Sequence, residues 1–84
     1  MDDIPEMTLA RRHIAAAVSA AGGGRAVAEL LGVSAQAVSQ WRRRAKVPTE
    51  YVQPLCAAGG VVTAKQLLRQ MLDAKLAQEL AKGD

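Results

Sequence analysis

Four groups of helix-breaking residues cut this chain at short intervals: Gly22-Gly23-Gly24, Gly32, Val47-Pro48 and Gly59-Gly60. Glycine closes helices by taking the left-handed conformation and weakens their interiors, and a residue before proline is pushed out of the helical region. Whatever lies between must therefore be short. The intervening segments place apolar residues at helical spacing, which predicts five helices. Helix 1 covers 8–21, with Thr8 suited to an N-cap and Ile14, Val18 and Ala21 on one face. Helix 2 covers 25–31 and stops at Gly32. Ser34 is placed to cap helix 3, which should run over 35–44. Helix 4 spans about 50–58, with Pro54 expected in its first turn. Thr63 and Gln66 form a capping box and Val62 and Leu67 a hydrophobic staple, so helix 5 should start there and reach about Lys82. Residues 1–7 and 83–84 are expected to be loose ends.

This is an all-α reading: a compact five-helix bundle containing a helix-turn-helix, with an extended C-terminal helix. At 84 residues there is room for one small core, and cores of that size are marginal unless a partner adds to them. Half of the residues are apolar, with one Trp, one Tyr and no Phe, a composition suited to thin helices packed closely.

Charge is unevenly distributed. The formal net charge is +3, but residues 1–6 carry Asp2, Asp3 and Glu6, and residues 47–84 balance. Between 7 and 46, Arg11, Arg12, Arg25, Arg42, Arg43, Arg44 and Lys46 face Glu29 alone. Such a block predicts a polyanionic partner.

Catalytic machinery is not visible. His13 has no acidic partner or second His nearby, Cys56 stands alone without a paired base, and the glycine run lacks the Lys-Ser/Thr ending of a phosphate loop. We therefore expect no enzyme activity, no metal and no cofactor. MDDIPEM lacks the basic and apolar regions of a signal peptide, and IAAAVSAA (14–21) is too short to span a bilayer. A reducing, cytoplasmic setting without membrane attachment is the expectation.

The stretch LLGVSAQAVSQW (30–41) carries the functional signal. In helix 3, Val38, Trp41 and Ala45 recur as a buried stripe with Val33, while Gln36, Ser39, Gln40 and Arg43 recur on the opposite face. Gln suits adenine N6 and N7, Arg suits guanine O6 and N7, and Ser suits either. Arg42, Arg44 and Lys46 follow the helix and can reach phosphates, as can Arg25 with the first amides of helix 2. Gly32 permits the tight turn and Ala28 lets helices 2 and 3 cross closely.

Over about residues 13–70 the chain resembles the Cro/CI-like helix-turn-helix repressors, and among them the YdaS-like putative antitoxins of prophage regions. The resemblance runs through AAGGG-R-A-x-A-x-L-L-G-V-S-x-Q-A-V-S-Q-W, the basic run with V-P, and GG-x-V-T-x-x-x-L. With the motif glycine at Gly32, the small position falls on Ala28 and the apolar ones on Val27, Leu31, Val33, Val38 and Trp41. The Gln that often opens helix 2 and touches phosphate in that family is Gly24 here, and Arg25 is its candidate replacement. The family usually ends soon after V-T-x-x-x-L, whereas this chain continues. The resemblance implies a bacterial or phage-encoded operator-binding repressor of a prophage or toxin–antitoxin-type locus. The candidate DNA-contact set is Arg25, Ser34, Gln36, Ala37, Ser39, Gln40, Arg42, Arg43, Arg44 and Lys46.

Helix 5 carries Leu68, Leu72, Leu76 and Leu80 at i+4 steps. Leu72, Leu76 and Leu80 are expected to pair across a two-fold axis in a homodimer, which would present two recognition helices to a palindromic operator. The competing expectation is a fold-back of helix 5 onto helices 1 and 4. A competing function is a protein-interaction module in which the C-terminal helix docks a partner protein. A cationic helix on a membrane surface is weaker, because helix 5 has no Trp or Phe.

Overall fold

A computed structural model describes residues 4–82. Its elements are α1 (Pro5–Ala20), α2 (Gly24–Leu31), α3 (Ala35–Arg44), α4 (Thr49–Gly59) and α5 (Ala64–Lys82), with no strand among the described residues. The bundle is all-α, as expected. One core gathers side chains from all five helices: Ile14 and Val18 from α1, Val27 from α2, Val38 and Trp41 from α3, Val52 and Leu55 from α4, and Leu67 from α5.

Local chemistry sets the middle of the chain. Gly32 closes α2 at φ 71°, and the Val33 amide donates to the Ala28 carbonyl at 3.0 Å, which satisfies a C-terminal acceptor and turns the chain sharply. Two residues on, Ser34 Oγ accepts from the Ala37 amide at 3.0 Å and starts α3. At α5, Thr63 Oγ1 accepts from the Gln66 amide at 3.1 Å, and Val62 and Leu67 are both buried. Thr63 thus caps α5 with one of the two bonds of the expected capping box, and Val62 and Leu67 share the core as the staple predicts.

Several expectations need correction. Helix α1 begins at Pro5, three residues before Thr8, with Ile4 as its cap residue and the Ile4 carbonyl accepting from the Met7 and Thr8 amides at 3.0 Å each. Proline at the first helical position gives up an amide that would be unpaired anyway and brings its φ preset. Of the segment expected to be loose, residues 5–7 are thus helical; residues 1–3, like 83–84 at the other end, lie outside the described residues. Gly24 opens α2 rather than ending α1. Pro54 sits inside α4 and beyond its first turn. It cannot donate to the Glu50 carbonyl, but both residues are exposed, so water can serve that acceptor. Ala45 is buried as the α3 pattern required, yet it lies past the helix end as a left-handed cap with φ 57°. Its methyl packs with Ala10 of α1 and Ala74 of α5, with Met7 alongside.

Gly59 marks the closest approach of α4 to α1. A Cβ there would lie 2.9 Å from the Ala17 carbonyl oxygen and 3.2 Å from the Ala20 Cβ. Backbone cannot swing aside as a flexible side chain does, so Gly59→Ala should force the helices apart and cost about 1–3 kcal/mol. A thermal melt matching wild type would refute this.

Helix α5 folds back and packs mainly on α1 and α4 through Leu67, Met71 and Ala74. The Val47 amide, in the loop after α3, donates to Met71 Sδ at 3.1 Å and ties that loop to α5. The leucine series is on another face: Leu72, Leu76 and Leu80 remain 55%, 50% and 82% exposed. Fold-back and an unpartnered leucine strip therefore coexist.

Candidate nucleic-acid interface

Helix α3 is held by its inner face. Val38 is wholly buried and Trp41 is 7% exposed, stacked on Tyr51 with ring centroids 5.5 Å apart and an interplanar angle of 26°. Trp41 is thus a core residue and not a platform for a base. At 100° per residue, the direction opposite this stripe is that of Gln36 and Arg43, with Ser39 and Gln40 beside them. Gln36, Ser39 and Arg43 are exposed and Gln40 is half-buried.

Ser34, Gln36, Ala37, Gln40, Arg44 and Lys46 share one concave surface of about 630 Å3, with Trp41 and Pro48 completing its lining. These six candidate residues are brought together by the fold. Ser39 and Arg43 are exposed on α3 but do not line the concavity. Arg42 and Arg44, two residues and about 200° apart, leave the helix on opposite flanks. Arg25 belongs to the first turn of α2, is exposed, and is outside the concavity. A basic run of three thus straddles the helix instead of forming one patch.

Position and charge at the end of α3 depend on a residue outside the candidate set. Arg11 of α1 donates from Nε to the Arg43 carbonyl at 3.1 Å. This bond satisfies one of the last α3 carbonyls and brings a cation to the negative end of the helix, joining those on Arg42, Arg43 and Arg44. In sequence Arg11 reads only as part of a basic block. No local signal shows that α1 runs past the end of α3.

The remaining chemical groups do not converge. His13 is turned back on its own helix, with Nδ1 donating to the Leu9 carbonyl at 2.9 Å. Cys56 is buried in the core, and that burial pushes its thiol above the ordinary range, which keeps it protonated at neutral pH. Among the described residues no cluster of His, Cys, Asp or Glu could hold a metal ion. No single described helix is long and apolar enough to cross a membrane.

A family model described as the bacterial toxin YdaS matches residues 14–79. The chain belongs to this family. The YdaS match takes in the second part of α1 from Ile14 onward, all of α2, α3 and α4, and α5 up to Glu79. It therefore extends past residue 70, where the sequence resemblance was expected to fade, so α5 is part of the YdaS pattern and not an appendage to it. The family's description names a toxin, whereas the resemblance drawn from the motifs was to putative antitoxins of such loci. No curated protein and no solved structure matches the chain.

Proposed function

We propose that this YdaS-family chain binds duplex DNA through α3 in the major groove and regulates transcription as an operator-binding repressor. The observation that carries the proposal is the outward face of α3. Gln36, Ser39, Gln40 and Arg43 point away from the core, with Ser34 at the helix start and Arg42, Arg44 and Lys46 at its end. Amides and guanidinium groups on a helix backed by a buried Val38–Trp41 stripe suit base edges, and cations on both flanks suit the two phosphate strands bordering a groove. Nothing in this reading requires catalysis.

Base readout and phosphate anchoring give different signatures. Gln40→Ala or Arg43→Ala should cost about 1–3 kcal/mol on the cognate site, selected from random duplexes, and much less on random DNA. Neutralising Arg42, Arg44 and Lys46 should weaken both equally and lower the salt slope by about one per residue. Fluorescence anisotropy across a salt series measures both. Salt-insensitive binding, or no retention on DNA at low salt, would overturn the proposal.

Gly24 offers a gain-of-function test. A Cβ at this position meets only the Val38 Cγ1 at 3.9 Å, an ordinary contact. Gly24→Gln, which restores the residue that resembling repressors use toward phosphate, should therefore fold normally and tighten DNA binding about threefold to tenfold. Unchanged affinity would show that the first turn of α2 does not face the backbone.

We read the exposed Leu72, Leu76 and Leu80 as the surface on which two chains pair when bound to a palindromic site. The family's description favours a second reading, growth inhibition on expression. Inducing wild type beside Gln40→Ala and Arg43→Ala in cells separates the two: toxicity that survives both substitutions acts through something other than the α3 face.

A further inference from the structure

Helix α5 from Leu68 onward and the segment from Arg44 through the loop after α3 border a groove of about 390 Å3. Its apolar lining is Leu68, Met71 and Leu72 from α5 with Val47 from the loop. Leu68 and Leu72 are 39% and 55% exposed. Four cations border it, Arg44 and Lys46 on the loop side and Lys75 and Lys82 on α5, against the single carboxylate of Glu79. None of these four is ion-paired among the described residues. From Leu68 to Lys82 the α5 wall is about 21 Å long, or four helical turns.

We infer that this groove docks an acidic amphipathic helical segment of another protein, whose apolar side chains cover Leu68 and Leu72 and whose carboxylates meet Arg44, Lys46, Lys75 and Lys82. Charge complementarity selects this occupant. A DNA backbone would satisfy the cations but leave the leucines uncovered. A second copy paired through Leu76 and Leu80 would use the adjacent face of α5, with Leu72 at the edge of both; seated in the groove itself, its α5, with four cations against two carboxylates, would set like charges opposite one another. An acidic apolar helix meets both requirements.

The groove also has a regulatory consequence, which rests on the proposed DNA-binding role. Arg44 and Lys46 border the groove and also the concavity beside α3. An acidic segment seated on α5 takes up the two cations that α3 would present to phosphates. Occupancy of the groove and DNA binding therefore oppose each other.

The test uses the full chain and a fluorescein-labelled synthetic helical peptide of about four turns, with leucines on one face and glutamates flanking them. One control peptide has lysines in place of the glutamates, and another has serines in place of the leucines. The acidic leucine peptide should bind at least about tenfold more tightly than either control, in anisotropy measurements without DNA. Lys75→Glu and Leu68→Ser, both at exposed positions and checked by circular dichroism, should each weaken it about fivefold or more. In a separate arm the same peptide should displace a bound duplex, while Lys75→Glu alone leaves duplex affinity unchanged. Equal binding of the three peptides, or variants that bind like wild type, would overturn the inference. So would a wild-type dimer that Leu68→Ser dissociates, which would put a second copy in the groove. A loss of duplex affinity in Lys75→Glu as large as that in Lys46→Ala would assign the groove to DNA. Because peptide binding is measured without DNA, its outcome is independent of whether the chain binds DNA.

Discussion

Trp41→Ala is expected to lower stability by about 3–5 kcal/mol. The indole is 7% exposed and is the largest side chain in a core built otherwise of Val, Leu, Ile, Ala and Cys. Its removal leaves a cavity that small neighbours cannot fill, and it also ends the stack on Tyr51, itself worth about 0.5–1.5 kcal/mol. Domains this small have about 5–15 kcal/mol in all, so a chemical-denaturation midpoint should fall steeply or the transition vanish. The informative alternative is a variant that melts like wild type but no longer binds DNA, which would make Trp41 a ligand contact.

A chain ended after Gln70 is expected to lose its cooperative fold altogether, while Leu80→Lys should melt like wild type. The two changes touch the same helix on different faces. Truncation removes Met71, whose Sδ is the acceptor for the Val47 amide at 3.1 Å, and Ala74, which covers Ala10 and Ala45. An unpaired amide in this part-buried place costs up to about 1–3 kcal/mol, and loss of the partly buried Met71 a share of the roughly 1.5–3 kcal/mol of full burial. Together with the uncovering of Ala10 and Ala45, those losses reach the lower end of the about 5–15 kcal/mol that holds such a domain together. Leu80 is 82% exposed and holds nothing within the chain. Its replacement should instead act on the proposed pairing: light scattering should give dimers for wild type and folded monomers for the variant, with weaker binding to a two-half-site duplex. A truncated chain with a wild-type melting curve would show that the core ends before Met71.

The legible parts of the fold were those governed by neighbours in sequence. Helix α3 begins where Gly32 and Ser34 place it, because a left-handed turn and a hydroxyl cap act within one turn of their own position. The start of α5 was legible for the same reason. That Leu72, Leu76 and Leu80 stay outside the core was legible as well, but the burial of Ala74 was not. The leucines of α5 are the more apolar side chains, yet α1 presents Ala10, and a small partner allows close approach only to a small residue such as Ala74. That choice depends on Ala10 and Ala74, more than 60 residues apart in the chain, and no periodicity within α5 reveals it. The left-handed Ala45, the Pro54 inside α4 and the Arg11 bond to α3 belong to the same class, since each is decided by tertiary surroundings. Within the candidate site, residue types and helix face could be read, but not the division of the basic run between two flanks.

The separation of the two faces of α3 bears on how such a chain diversifies. Gln36, Ser39 and Gln40 have no side-chain hydrogen bond to any other described residue, whereas Val38 and Trp41 anchor the fold. Exchanging the outward residues costs little more than helix propensity, a few tenths of a kcal/mol for most choices. Drift on this surface is therefore nearly neutral for folding, and a duplicated copy can acquire a new recognition preference in single steps without first passing through an unstable intermediate.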